Sequence, residues 1–459
     1  MDMNLNDAPL GYAFEGDYPE SYGDLTPRLQ EVLARQLTEL GSADRETEIL
    51  GILRGRRCGR KDLPQLDVRR RRDGSPYLVA RGEIVMPPNL YASRAVQHVL
   101  RNRGFNDHKW RGELVRVRRF AASVGGVEQT LDEVGMRGGS GWPNYLATMA
   151  AVGKGMGGAE PVPGLGGFAD YRIPSAPEYG EEPPPRVAVI DTGIPSLDRG
   201  DGSPNMNRSD GWLDGVDRDD DNRDLLDILP AGMDGYLDFQ AGHGTFVAGI
   251  IQRVAPGADI RVYRAADTDG LARDDGIAYA MLRAVDDGAQ ILNLSLGGLT
   301  AHDEPPYAIA QAVERIRTQS KRAVVIVAAA GNNGDDTPYW PAALTGVEAV
   351  AGLTAELTGS TWSSRGDHVR FSTVAEGIRS TFVTGHESPE FDREPEVFGE
   401  NAWAIWSGTS FAAPQIAGAV ARICQEQHMT PPEAVDVLDE RGKPIDQFGK
   451  AMRILEGLG

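Results

Sequence analysis

Leucine and isoleucine recur at three- and four-residue intervals from Thr26 to about Leu53, the spacing of one face of an α-helix. This predicts one or two amphipathic helices that act as packing elements. Tyr77 to Met86 then reads as a strand, Ala92 to Arg103 as a helix, Glu113 to Phe120 as a strand and Val127 to Met136 as a helix, together a compact α+β unit. Between about Gly138 and Pro185 glycine and proline dominate, ending in SAPEYGEEPPPR, a composition that resists helix and sheet and predicts a linker. Beyond it, apolar runs (Val187 to Ile190, Ile291 to Leu294, Val324 to Ala328) alternate with helical stretches such as Gly276 to Asp287 and Pro306 to Arg317. That alternation predicts an α/β fold, a doubly wound parallel sheet with helices on both faces. The expected organisation is an N-terminal helical and basic region (1–75), a small α+β domain (76–137), a Gly/Pro-rich linker (138–185) and a large α/β domain (186–459). No internal repeat has a solenoid period.

At 459 residues the chain is longer than one core usually organises, which agrees with several units. No stretch approaches the roughly 20 apolar residues that span a bilayer, so no membrane partner is expected. The start, MDMNLNDAPLGYAFEGDYPE, is acidic and lacks a basic leader with an apolar core, and the expected location is the cytoplasm. Cys58 and Cys424 fall in different predicted domains and are expected as free thiols. A formal net charge of −20 disfavours a nucleic acid partner. Against that charge, Arg54, Arg56, Arg57, Arg60, Lys61 and the run Arg69 to Arg72 form a basic stretch. It reads either as a surface that docks on the acidic remainder of the chain or as a solvated loop.

Four segments carry candidate chemistry. RVAVIDTGI ends an apolar strand with Asp191 at the carboxyl edge of the sheet, where open α/β folds build sites, although a strand-end aspartate also serves as a simple cap. In GHGTFVAGII, Gly242 and Gly244 flank His243 ahead of a helix of small residues, so the imidazole can approach a neighbouring backbone. The other six histidines read as structural. In SGTSFAAPQIAGAVA, Ser410 opens an apolar helix whose unpaired N–H groups suit a developing oxyanion, or else it is a plain N-cap. VVIVAAAGNNGDD runs a strand into Asn332, whose amide can donate to an oxyanion, or into an Asn-Gly turn, which Asn333 and Gly334 fit better.

The segments DTG, HGT, AAGN and GTSFAAP, in that order, resemble the signature blocks of the subtilisin-like serine peptidases, over a span from Arg186 to the C-terminus. The resemblance implies that Asp191 orients the imidazole, His243 is general base and then acid, Ser410 is the nucleophile and Asn332 helps form the oxyanion hole. It implies that Ser295, Leu296 and Gly297 of NLSLGG pair with an extended substrate backbone, and that Ala329, Ala330 and Gly331 line the other side of the primary pocket. Tyr339 of YWPA lies close to the implied pocket floor, where it would favour small or medium side chains. Ala375, Glu376 and Gly377 depart from the Ala-Pro-Gly found in many relatives.

The acidic run DGVDRDDDNRDLLD, with Asp217, Asp219 and Asp221, reads as a solvated turn or as a structural calcium site; the chemistry itself requires no cofactor. The α+β unit loosely resembles the inhibitory propeptides of subtilases, and a partner-recognition module fits it equally. The expected function is therefore a serine endopeptidase acting on protein or peptide substrates and restrained by its own N-terminal region. A catalytically silent binding scaffold and an esterase are the competing readings.

Overall fold

The structure, a computed structural model, describes residues 43–108, 118–121, 126–149, 161–164, 184–195, 213, 216, 222–230, 232, 234–391, 395–399 and 402–455. The N-terminal part contains α1 (Ala43–Arg56), β1 (Leu66–Arg70), β2 (Pro76–Met86), α2 (Arg94–Asn102), β3 (Asn106–His108), β4 (Arg118–Ala121), α3 (Val127–Met136), β5 (Trp142–Met149) and β6 (Val162–Pro163). The larger part follows with β7 (Arg186–Asp191), α4 (His243–Val254), β8 (Asp259–Arg264), β9 (Leu271–Arg273), α5 (Asp274–Asp286), β10 (Ile291–Leu294) and β11 (Leu296–Gly297). It continues through α6 (Tyr307–Gln319), β12 (Val325–Ala329), β13 (Glu348–Leu353), β14 (Val369–Val374), β15 (Ile378–Thr381), β16 (Gly385–His386) and β17 (Val397–Phe398). It closes with β18 (Trp403–Trp406), α7 (Thr409–Gln427), α8 (Pro431–Arg441), β19 (Lys443–Ile445) and β20 (Gly449–Ala451).

The main sheet has the order β19-β20-β14-β13-β12-β10-β7-β8, and every pair from β20 to β8 is parallel. Strands buried on both faces need apolar residues in both alternating sets, and β7 supplies them. Val187 and Val189 join Ile250, Ile251 and Phe411 in one core, whereas Ala188 and Ile190 join Ile277, Met281 and Ile309 in the other. Helices α4 and α7 thus cover one face, and α5 and α6 the other. This is the expected α/β, doubly wound parallel sheet. From β7 the chain moves first to β8 on one side and then to β10 on the other, so the order reverses between β7 and β10. The carboxyl ends of those two strands therefore frame a crevice.

The expected linker over 138–185 is overturned at its start, because Trp142 to Met149 forms β5, an inner strand of a second sheet. Its first half pairs with β2, and its second half is inserted between two strands of the larger part. Leu146, Ala147 and Thr148 face Arg273, Ala272 and Leu271 of β9, while Thr148 and Met149 face Gly297 and Leu296 of β11. The small sheet therefore runs into the crevice instead of ending at a boundary. Trp142 stacks on Tyr307 of α6 with centroids 4.0 Å apart and planes 5° apart. Glu83 of β2 receives two-pronged hydrogen bonds from Arg273 at 3.0–3.1 Å. Further along, β6 pairs with β18, the strand that leads to Ser410.

Part of the basic stretch docks inward. Arg57 is fully buried and grips Asp267 with two hydrogen bonds of 2.7 Å. Arg56 reaches Asp238, Asp269 and Glu390, and donates to the Leu229 carbonyl. Arg71 donates to Thr300 O and pairs with Asp303. The helix predicted over Thr26 to Leu53 is described from Ala43 onward; the rest of that prediction lies outside the described residues.

Removing one partner of a buried pair leaves the other charge without compensation, which typically costs about 3–5 kcal/mol. Arg57→Ala is expected to destabilise the chain by that amount in denaturant titration. Arg317→Ala, which breaks an exposed pair with Glu314, should cost about 1 kcal/mol or less.

Candidate active site

Asp191 is the last residue of β7 and is buried at the sheet edge. Its Oδ1 accepts the Thr192 N–H at 2.7 Å and lies 2.8 Å from His243 Nδ1. A carboxylate can only accept, so Nδ1 carries the proton of that bond and Nε2 is the basic nitrogen of the neutral ring. Nε2 is buried and has no hydrogen-bond partner among the described residues. Trp406 and Phe411 wall the imidazole in, each with its ring centroid 5.5 Å away.

His243 opens α4, preceded by Gly242 in the left-handed region at φ 83°. Gly244 is dictated by contact: a Cβ there would lie 2.2 Å from the Gly193 carbonyl oxygen, so the helix start rests on the turn after Asp191. Asp224 ties the two together. Its Oδ2 accepts the Gly242 N–H at 2.9 Å and the Thr192 hydroxyl at 3.2 Å, and its Oδ1 accepts the Leu226 N–H at 3.1 Å. Thr192 Oγ1 in turn accepts the Gly244 N–H at 3.1 Å. Donors at the start of a helix, which lack intrahelical acceptors, are thereby satisfied. Burial pushes the Asp224 carboxyl up to about 6, partly opposed by the bonds from Gly242, Leu226 and Thr192.

Ser410 is the second residue of α7 and is buried. Pro414, four residues on, has no N–H, so the Ser410 carbonyl lacks its usual helical donor. Ser295 Oγ supplies one at 2.7 Å, and Ser410 Oγ donates back to the Ser295 carbonyl at 2.8 Å. Asn293 Nδ2 donates to Ser295 Oγ at 2.9 Å and fixes that hydroxyl in turn. In this arrangement the Ser410 hydroxyl bonds to Ser295 O and not to the imidazole. Asn332 is tied to the same helix end, because its Oδ1 accepts both the N–H and the hydroxyl of Thr409, at 3.0 and 2.8 Å. Those two bonds hold the Asn332 side-chain amide against the start of α7.

The sequence profile of the subtilase family matches residues 185–440. The chain belongs to the subtilase family. Among curated subtilases it is 32% identical over 254 residues to a thermophilic serine proteinase from Bacillus sp. (strain AK1), covering 52% of this chain and 52% of that protein. It is 28% identical over 271 residues to thermitase from Thermoactinomyces vulgaris, covering 56% of this chain and 80% of thermitase. The intracellular serine protease of Paenibacillus polymyxa is 28% identical over 238 residues, covering 48% of this chain and 65% of that protease. The chain thus spans about half the length of the thermophilic serine proteinase that it matches. The fold is similar to that of fervidolysin from Fervidobacterium pennivorans, with TM-score 0.56 and 22% identity over 82% of this chain and 60% of that one.

Within this subtilase, the residues expected to bind substrate lie around the crevice. Leu296 and Gly297 are already paired with Met149 and Thr148, and Ser295 holds Ser410. Ala329 ends β12, Ala330 donates to Val350 O at 2.9 Å, and Gly331 donates to Thr409 Oγ1 at 3.2 Å. The calcium candidates Asp217, Asp219 and Asp221 lie outside the described residues, and no group of three or more His, Cys, Asp or Glu among those described could hold a metal. At the Ala375–Gly377 departure, Glu376 accepts the Trp362 indole N–H at 3.0 Å, and Gly377 N–H donates to Ser407 Oγ at 3.0 Å. The turn is thereby fixed against the segment leading to Ser410.

Sequence reasoning missed Asp224 as a positioning residue, although it stood in the acidic run. Its carboxyl binds a proton more tightly when folded than the usual unfolded value of about 3.9. Its contribution to stability is therefore complete below about pH 4 and is lost as pH rises through 6. Asp224→Asn removes that dependence. Relative to the variant, the parent chain should lose about 2 to 3 kcal/mol between pH 4 and pH 7 in urea titrations, whereas parallel curves would contradict the assignment.

Proposed function

We propose that this subtilase is a serine endopeptidase whose N-terminal part restrains it by lying in its own substrate crevice. The seating of β5 carries the reading. It is an extended segment, hydrogen-bonded on one edge to β9 and on the other to β11, in a register that ends one residue short of Ser295. Backbone pairing on a strand edge is how extended peptides are recognised, since main-chain groups are the same whatever the side chains. A peptide in the place of β5, running one residue further, would bring its next carbonyl beside Ser410, which touches Ser295 O.

In that reading the Ser410 hydroxyl leaves the Ser295 carbonyl and donates to His243 Nε2, which takes the proton as Oγ attacks the peptide carbonyl. Asp191 holds the imidazole by Nδ1 and stabilises the imidazolium that forms. The oxyanion is met by N–H groups at the start of α7 and by the amide of Asn332. The imidazolium then protonates the leaving amine, and water activated by the same nitrogen releases the acyl group. A cytoplasmic location belongs to the same proposal, supported by the similarity to the intracellular serine protease of Paenibacillus polymyxa.

The resting bond from Ser410 to Ser295 O favours a second reading, a silent scaffold in which the hydroxyl never reaches the ring. One experiment separates them. A fluorophosphonate probe should label the incubated wild-type chain at Ser410 and leave Ser410→Ala unlabelled; a wild type that stays unlabelled supports the scaffold. Mass spectrometry of the same samples should show a new N-terminus between residues 149 and 162 in the wild type and an intact chain in Ser410→Ala. An uncut wild-type chain with full peptidase activity would remove the restraint by β5 from the proposal.

A further inference from the structure

Next to the register of Ser295 the crevice is closed by one side chain. The Tyr339 ring packs against two glycines. A Cβ added at Gly297 would be 2.3 Å from Tyr339 Cε1, and one added at Gly331 would be 2.6 Å from Tyr339 Cγ. Tyr339 is held there by the neighbouring residue, since Trp340 exchanges both backbone hydrogen bonds with Gly298 at 2.9 and 3.0 Å. Its buried hydroxyl hydrogen-bonds to the side chain of Thr148 on β5.

That contact identifies which residues of a bound strand meet the ring. Side chains alternate along a strand, and residues two apart share a face. Thr148, opposite Gly297, points to Tyr339, whereas Met149 points the other way, its Cγ lying 3.2 Å from where a Cβ on Gly270 would be. The residue of a substrate opposite Ser295 shares the Thr148 face. It is also the residue that presents its carbonyl to Ser410, so its side chain is directed into the space between Gly297 and Gly331.

We propose that Tyr339 is the specificity-determining residue of this crevice, and that the enzyme cleaves after glycine, alanine or serine because the ring occupies the volume a larger side chain needs. The inference rests on the endopeptidase reading above. The chain's own sequence is of that class, since Met149 is followed by Ala150 and Ala151.

The test uses the full chain after self-processing or limited trypsin digestion, assayed on two chromogenic peptides, Leu-Ala-Thr-Met-Ala and Leu-Ala-Thr-Met-Phe, each ending in p-nitroanilide. Wild type should show kcat/KM about 100-fold higher for the alanine peptide, the order by which pocket size discriminates. Tyr339→Gly should bring the two within about 10-fold by a gain on the phenylalanine peptide. Tyr339→Phe, which keeps the ring, should retain the wild-type ratio and shows whether the site tolerates substitution. Comparable wild-type rates on both peptides, or an unchanged ratio in a folded Tyr339→Gly, would overturn the assignment. Fluorophosphonate labelling of Ser410 is measured alongside. Labelling with cleavage but without the preference defeats only the role of Tyr339, whereas neither labelling nor cleavage defeats the endopeptidase reading itself.

Discussion

Two backbones in close contact hold the candidate site together. The Gly193 carbonyl, one turn past the end of β7, lies where any side chain on Gly244 would have to be. Because Gly244 lacks a Cβ, the first turn of α4 can sit on the sheet edge with His243 within 2.8 Å of Asp191. Everything around this contact reinforces it. Thr192 and Asp224 link the strand end to the helix start by hydrogen bonds among buried groups, where an unmade bond is costly.

Ser410 is held by a different device, a defect in a helix. Proline within α7 withdraws a donor from the Ser410 carbonyl, and Ser295 from a neighbouring strand end fills the vacancy. Because Ser295 and Ser410 each donate to the other, the segment that follows β10 and the start of α7 are fixed in one geometry. Asn293 and Asn332 extend that geometry to the strand and to the loop after β12.

Much of this was legible in the sequence because it is local. Short motifs named Asp191, His243, Ser410 and Asn332, and the alternation of apolar runs with helical stretches named the sheet. What was not legible depends on distant partners. Residues 142–149 stand in a glycine- and proline-rich stretch with no strand-like alternation, and they are strand only because β2, β9 and β11 offer edges to pair with. Arg56 and Arg57 gave equal support to a solvated loop and to a docking surface. Their partners Asp238, Asp267 and Asp269 are about two hundred residues away, and only tertiary structure distinguishes the two. Asp224 was one acidic residue among many until its neighbours in space were known.

The double pairing of β5 also says what kind of polypeptide this crevice can admit. Take that strand away and two facing edges remain, each presenting a row of unsatisfied amide and carbonyl groups across a slot one strand wide, with roughly 4.8 Å of spacing needed on either side. A helix is too thick to enter, and a hairpin already has one edge committed. Such a slot selects locally unravelled chain ahead of any particular sequence, so under the endopeptidase proposal a folded protein would meet the crevice chiefly through its loops, frayed ends and moments of partial unfolding.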